Sequence, residues 1–441
     1  MQKLIYDLIT KPKIYGVAWN KGDGSTLTRI NNSAKFTAKA GVDTSVAYND
    51  FDRADIFKSI TEVTDSLGNV FVRIPKLYIR KTDTATIKTW QASKKKWDNS
   101  WYLPWCFWDF TNNRELPYID IGKYNASLSG DNKLESKSGK YPIVSRNIVD
   151  FRTYAQANGA GYQQLDVHVV DILRTLFFIM FATIGSQSIM AGWTSGNYTA
   201  THVATVAESG VNRIIIANAF ANLYAVGQPV SLGTAQGANN IAINRDITAI
   251  NVYDASNKAI SFDGAAVNIA IGNMIYNSGW KSGFSSAIAA KNGSIGSNTT
   301  AKFPCVFLGI ENPFGNVWQF VDGLNINNNQ SWVCKNAASY ASNVFASPYK
   351  QLGYINANAN GYVSKTGYDV NFPFAEITSE ITASFIKYKD YYYQALGQLI
   401  ARFGAGWFGG LAAGLSYWTL NASSAIAFLY FGGRLVRKAI S

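Results

Sequence analysis

The chain has 441 residues, 47% hydrophobic and 15% charged, with a formal net charge of +12. That balance, with 25 Tyr, 25 Phe and 12 Trp, excludes a disordered chain, and the length suits two or three domains with their own cores. The positive charge raises nucleic acid or an acidic surface as a partner, yet the basic residues are scattered. The one dense run, Lys94-Lys95-Lys96, reads as a solvated loop, so no nucleic-acid partner is expected.

In chain order, "MQKLIYDLITKPK" has no apolar signal-peptide core, so a cytoplasmic site of synthesis is expected. Residues 1–45 are polar and turn-rich with short strand-like pieces such as "KIYGVAW", and residues 46–67 read as a helical or loop lead-in. "GNVFVRIPKLYIRKT" alternates through Val70, Val72, Ile74, Leu77 and Ile79, which predicts a strand broken at Pro75. "SRNIVDFRTYAQANGAG" places Ile148, Phe151 and Tyr154 at helical spacing before a glycine stop. "GYQQLDVHVVDILRTLFFIMFATIG" predicts a long buried helix. Its uninterrupted apolar part is shorter than the ~20 residues a bilayer needs, and Asp171 and Arg174 sit in its first turns, so no membrane insertion is expected. Residues 194–300, poor in charge, repeat short alternations such as "VNRIIIANAF" and read as a small all-β module inserted into a larger domain. "CVFLGIENPFGNVWQFVDGLNI" follows, and then irregular Asn/Gly/Tyr-rich chain to about residue 395. The predicted class is α+β with long ordered loops.

Catalytic signals are sparse. His168 and His202 are the only histidines, and His168 falls on the buried helix; no nucleophile triad, metalloprotease motif or phosphate loop is present. Cys106, Cys305 and Cys334 lack metal-ligand spacing and are expected to be free buried thiols. Glu311 and Asp322 are the acids worth testing for paired-carboxylate chemistry, although holding turn backbones suits them better. Asp322 and Asn325 in "DGLNINNNQ" are weak calcium candidates without EF-hand spacing. No enzyme activity and no cofactor are expected, calcium being the one metal left open.

From Phe403 to Gly433 the chain carries no charge but seven Trp, Tyr and Phe residues from Trp407 to Phe431. Gly, Ser and Asn interrupt it every few residues and Arg434, Arg437 and Lys438 follow, which excludes a membrane tail. Ile426, Phe428 and Tyr430 are two apart, so on a strand or extended loop they share one face. Their neighbours Ala425 and Ala427 are poor core fillers, which favours an exposed face; burial of Phe428 and Tyr430 in the core is the alternative.

"GIENPFGNVWQFVDG" (309–323) resembles a motif of C-type-lectin-fold proteins of the formylglycine-generating-enzyme type. "VFVRIPKLYI" (70–79) is similar to the opening strand of that fold and "GGRLVRK" (432–438) to its closing strand, and the resemblance implies that the two pair. It implies a lectin-like domain over 68–193 and 301–441, a β-rich insertion at 194–300, and an attachment or oligomerisation segment at 1–67. The family's oxidase branch uses a copper-binding Cys pair that Cys305 and Cys334 do not match, so oxidase activity is not carried over. "YGVAWNKGDGSTLTRINNSAKFTA", "YNDFDRADIF" and "ATIGSQSIMAG", in this order, are similar to tail-tip receptor-binding proteins of phages and prophages.

The C-terminal stretch resembles the variable region of diversity-generating retroelement targets, a group typified by the phage major tropism determinant. There, Asn codons of a template are rewritten at their adenines. The resemblance implies a fixed scaffold of Trp407, Tyr417, Trp418, Asn421, Gly432, Gly433 and Arg434, with Gly404, Gly414, Leu415, Leu420, Ser423, Ser424 and Leu435 beside them. The interchangeable, ligand-binding positions would be Ala405, Phe408, Gly409, Leu411, Ala412, Ser416, Thr419, Ala422, Ile426, Phe428 and Tyr430. It further implies a host cell-surface protein or glycan and other tail proteins as partners, a homotrimer, and a place at the virion tail tip. The alternatives are a tail or baseplate component without receptor contact, a formylglycine-generating-type oxidase, and a polysaccharide depolymerase.

Overall fold

A computed structural model describes residues 13–439. It is mostly β, 37% strand against 12% helix, with a curled sheet forming a half-barrel. The balance lies further toward β than the α+β expectation. The reason is residues 330–394, expected as irregular loop. They supply strands Gln330–Val333, Lys350–Ile355, Gly361–Thr366, Thr378–Thr382 and Tyr391–Gln394.

Those strands join a large sheet whose order runs 350–355, 330–333, 318–327, 398–403, 418–422, 391–394, 361–366, 378–382. Phe431–Gly432 adds to Trp318–Asn327 in parallel, with Trp318 opposite Phe431. A second sheet runs 162–164, 435–438, 118–122, 70–75, 61–64. Here the closing strand Leu435–Lys438 pairs with Tyr118–Gly122 and Tyr162–Gln164, not with Val70–Pro75. The implied direct pairing of first and last strands is therefore corrected: Tyr118–Gly122 lies between them. Asp120 bridges the three strands, taking Arg73 on one side and Arg437 on the other.

The long helix, Val167–Phe181, is buried at every residue and packs on Trp318–Asn327 of the large sheet and on the strands Ile14–Asn20 and Ile87–Ser93. Asp166 caps it by accepting from the Val169 N–H at 2.9 Å, and it ends at Ala182 in the left-handed region. Its charges are spent internally. Asp171 pairs with Lys81, which also reaches Glu376 at 2.7 Å, and the Arg174 Nη2 donates to Ser416 Oγ at 3.2 Å. The shorter helix, Ile148–Gln156, starts on a capping box between Asn147 and Asp150. No described helix is long and apolar enough to cross a membrane. Cys106, Cys305 and Cys334 are free and buried.

Residues 13–67 share sheets with the chain that follows. Ile14–Asn20 pairs with Ile87–Ser93, and Thr61–Thr64 with Val70–Pro75. Within 194–300, a five-stranded sheet ordered 213–217, 257–262, 242–252, 229–233, 274–277 closes over its own core of Ile214, Ile216, Val230, Ile260 and Phe262. Gly293–Ser294 returns to pair with Cys305–Phe307 and Gly41–Val42.

Candidate functional site

Strands Gln398–Phe403 and Trp418–Ala422 lie side by side with Arg402 opposite Thr419, and Trp318–Asn327 flanks the first with Phe320 opposite Arg402. Beyond Ala422 the chain leaves the sheet and loops back to Phe431. The loop is fixed by backbone bonds rather than by strand pairing: Ser145 N–H donates to the Phe428 carbonyl and Trp318 N–H to the Tyr430 carbonyl, each at 2.9 Å. Between loop and sheet lies a pocket of about 290 Å³ lined by Trp318, Tyr393, Arg402, Phe408, Tyr417, Thr419, Asn421, Ala422, Ile426, Phe428, Tyr430 and Phe431.

Aromatic rings form most of its wall. Phe428 and Tyr430 stack in parallel at 5.4 Å, Phe408 meets Tyr430 edge-on at 4.9 Å, and Trp318 meets Tyr417 at 4.7 Å. Tyr198, from the region read as an insertion, stacks on Phe408 at 5.1 Å. Phe428 is 44% exposed, while Ala425 and Ala427 also face solvent, so this loop is not core. Ile426, Phe428 and Tyr430 share the pocket, on an irregular loop.

Arg402 forms the polar floor. It is only 4% exposed; its guanidinium lies 3.8 Å from the Phe431 ring centre and donates to the Asn421 side-chain oxygen. The Thr419 hydroxyl donates to that same oxygen at 3.0 Å. No carboxylate lies within salt-bridge distance of Arg402 among the described residues, and its Nε is shut in without a partner. Burial pulls the guanidinium down to about 10, so it stays charged at neutral pH.

The expected interchangeable positions divide into groups. Phe408, Thr419, Ala422, Ile426, Phe428 and Tyr430 line the pocket. Leu411 is exposed on the turn Gly410–Ala412, with Ala412 in the same turn and Gly409 just before it half-buried, away from that lining. Ala405 and Ser416 are corrected: both are buried and present no side chain to a ligand. Ala405 packs in the core, and the Ser416 N–H donates to the Asp390 carboxylate at 2.6 Å while its hydroxyl accepts from Arg174.

Of the expected scaffold, Trp407 and Trp418 are buried. Gly432 and Gly433 are required by close approach: a Cβ would meet Val317 at 2.7 Å in one case and the Phe151 ring at 2.6 Å in the other. Arg434 is buried and satisfied, with Nε donating to Gln319 and its two terminal nitrogens to the carbonyls of Gly122, Glu311 and Asn312 at 2.8 Å. Asn421 and Tyr417, expected in the scaffold, line the cavity: Asn421 is exposed and Tyr417 half-buried.

The weak calcium candidates do not form a cation site. Both Asp322 oxygens accept from Arg152 at 2.8 Å, and the Asn325 amide nitrogen donates to the carbonyls of Ala341 and Val344. A guanidinium stands where a cation would have to sit. Glu311 accepts from the backbone N–H groups of Gly283 and Ser285, so it braces a turn. His168 packs on Phe374, and burial pulls it down to about 3; His202 is buried with Nδ1 2.8 Å from the Tyr224 hydroxyl.

Arg402, Tyr393 and Tyr198 were missed from sequence. "LIARF" reads as an apolar strand with one charge, and nothing local marks that charge as lacking a partner. No protein-family model matches the chain, and no curated protein matches it in sequence.

Proposed function

We propose that the chain is a receptor-binding protein of a phage or prophage tail, built on a C-type-lectin-type fold, and that the pocket between the Trp418–Ala422 strand and the 423–431 loop contacts the host surface. The observation that carries this reading is a division of labour within one short stretch. Trp407, Trp418, Gly432, Gly433 and Arg434 are locked in the interior, whereas Phe408, Ile426, Phe428 and Tyr430 converge on an open aromatic cavity. Rigid aromatic anchors on a fixed frame carry binding energy at low entropic cost, as in antibody paratopes. Residues on such a loop can be exchanged while the strand pairing and the buried hydrogen bonds of the frame stay in place, which is what a diversified region requires.

In this reading the chain is a homotrimer at the tail tip, its N-terminal segment meets other tail proteins, and its ligand is a host surface protein or glycan. Preincubating host bacteria with the purified chain is expected to block adsorption of virions that carry it. Undiminished adsorption at saturating protein contradicts the assignment. The encoding DNA is expected to hold a nearby near-identical copy of the C-terminal coding stretch that differs mainly at adenines; its absence removes diversification and leaves the tail-protein reading standing.

A further inference from the structure

We propose that the pocket recognises the carboxylate of an acidic sugar residue, with Arg402 as the anion clamp; this rests on the reading of the same face as a receptor-binding surface. A guanidinium offers five N–H donors in a planar fork. At Arg402 the Asn421 side-chain oxygen is the one hydrogen-bond acceptor it meets among the described residues. A buried cation without a counter-ion is costly, and an incoming carboxylate supplies the missing charge and an acceptor for Nη1, which has no hydrogen-bond partner among the described residues.

The surroundings favour a sugar as the carrier of that carboxylate. Two donors, Arg402 and Thr419, converge on the Asn421 oxygen, which fixes the amide's orientation and leaves its nitrogen as a free donor for a hydroxyl. Trp318, Tyr417, Phe428 and Tyr430 line the walls with ring surface on which the C–H face of a pyranose can stack. The volume of about 290 Å³ lies at the low end for ligand pockets, room for one ring rather than a peptide segment. A chain of net charge +12 also draws acidic surfaces toward it.

The test is a ligand-observed NMR titration of the full chain with glucuronic acid, glucose and N-acetylglutamate. Glucuronic acid is expected to bind roughly 10- to 100-fold more tightly than glucose, the worth of a charge-assisted contact, and more tightly than N-acetylglutamate. Arg402→Gln is expected to bring glucuronic acid down to the level of glucose, with Arg402→Lys in between. The selectivity of the unaltered chain is read without any variant, so a misfolded Arg402→Gln does not shield the proposal. Equal binding of glucuronic acid and glucose, no binding of either, or preference for N-acetylglutamate overturns it. Should Arg402→Gln still block virion adsorption while glucuronic acid shows no preference, the acidic-sugar assignment falls and the receptor-binding reading survives. Loss of blocking by the unaltered chain removes the latter instead.

Discussion

Two buried arginines, 32 positions apart, separate the frame of this molecule from its open face. Arg434 is 1% exposed and Arg402 4%, and burial depresses both, to about 9 and about 10. Their surroundings differ. Arg434 spends its donors on Gln319 and backbone carbonyls from Gly122, Lys123, Glu311 and Asn312, stitching the closing strand to the "GIENPFGN" turn. Among the described residues Arg402 has one side-chain acceptor, with the rings of Phe431 and Trp318 against it, beneath a cavity. Equal burial can therefore serve opposite ends: one cation is saturated by its own fold, the other is left for something outside it.

The strongest way to break this contrast is Arg434→Gln, which leaves several buried carbonyls without donors. The expected cost is about 3–5 kcal/mol, seen as a collapse of the chemical-denaturation midpoint. Smaller but still large, Ala405→Phe and Gly433→Ala each force atoms into occupied space, at about 1–3 kcal/mol. A neutral Ala405→Phe on thermal melting would restore Ala405 to the exchangeable set. The frame is also sensitive to acid through His168. Its folded value, about 3, lies below the ordinary 6.5, so the unfolded chain takes the proton first. Its contribution is full above pH 6.5 and is lost as pH falls toward 3, on the order of 2 kcal/mol of it by about pH 5. His168→Leu is expected to flatten that limb of the stability–pH curve. At the open face, Arg402→Gln is expected to change stability by about 1 kcal/mol or less, because the loss of a contact offsets the relief of a poorly paired charge. Leu411→Ser should stay within about 0.5 kcal/mol.

The sequence made some of this legible and hid the rest for identifiable reasons. Residues 148–156 carried apolar positions at helical spacing before a glycine stop, and 167–181 a long apolar run, which local physics reads directly. The Ile426–Tyr430 loop was legible as an exposed aromatic face because small residues alternate with large ones. Strands such as Tyr391–Gln394 were hidden, since "YYYQ" has no polar alternation and its partner is the distant, parallel Trp418–Ala422. Long-range pairing also hid the interposition of Tyr118–Gly122 between the supposed first and last strands. Asn421, reachable only as a scaffold residue by resemblance, owes its pocket position to the chain leaving the sheet immediately after Ala422.

The proposed function requires the 423–431 loop to bind without supporting the fold. Its most direct test is the double variant Phe428→Ala, Tyr430→Ala, measured for thermal melting and for blocking of virion adsorption in the same preparation. The expected result is a melting temperature within a few degrees of the unaltered chain, consistent with a loss of about 2–3 kcal/mol for two half-buried rings, together with abolished blocking. A large drop in melting temperature, or full blocking by a well-folded variant, would contradict it.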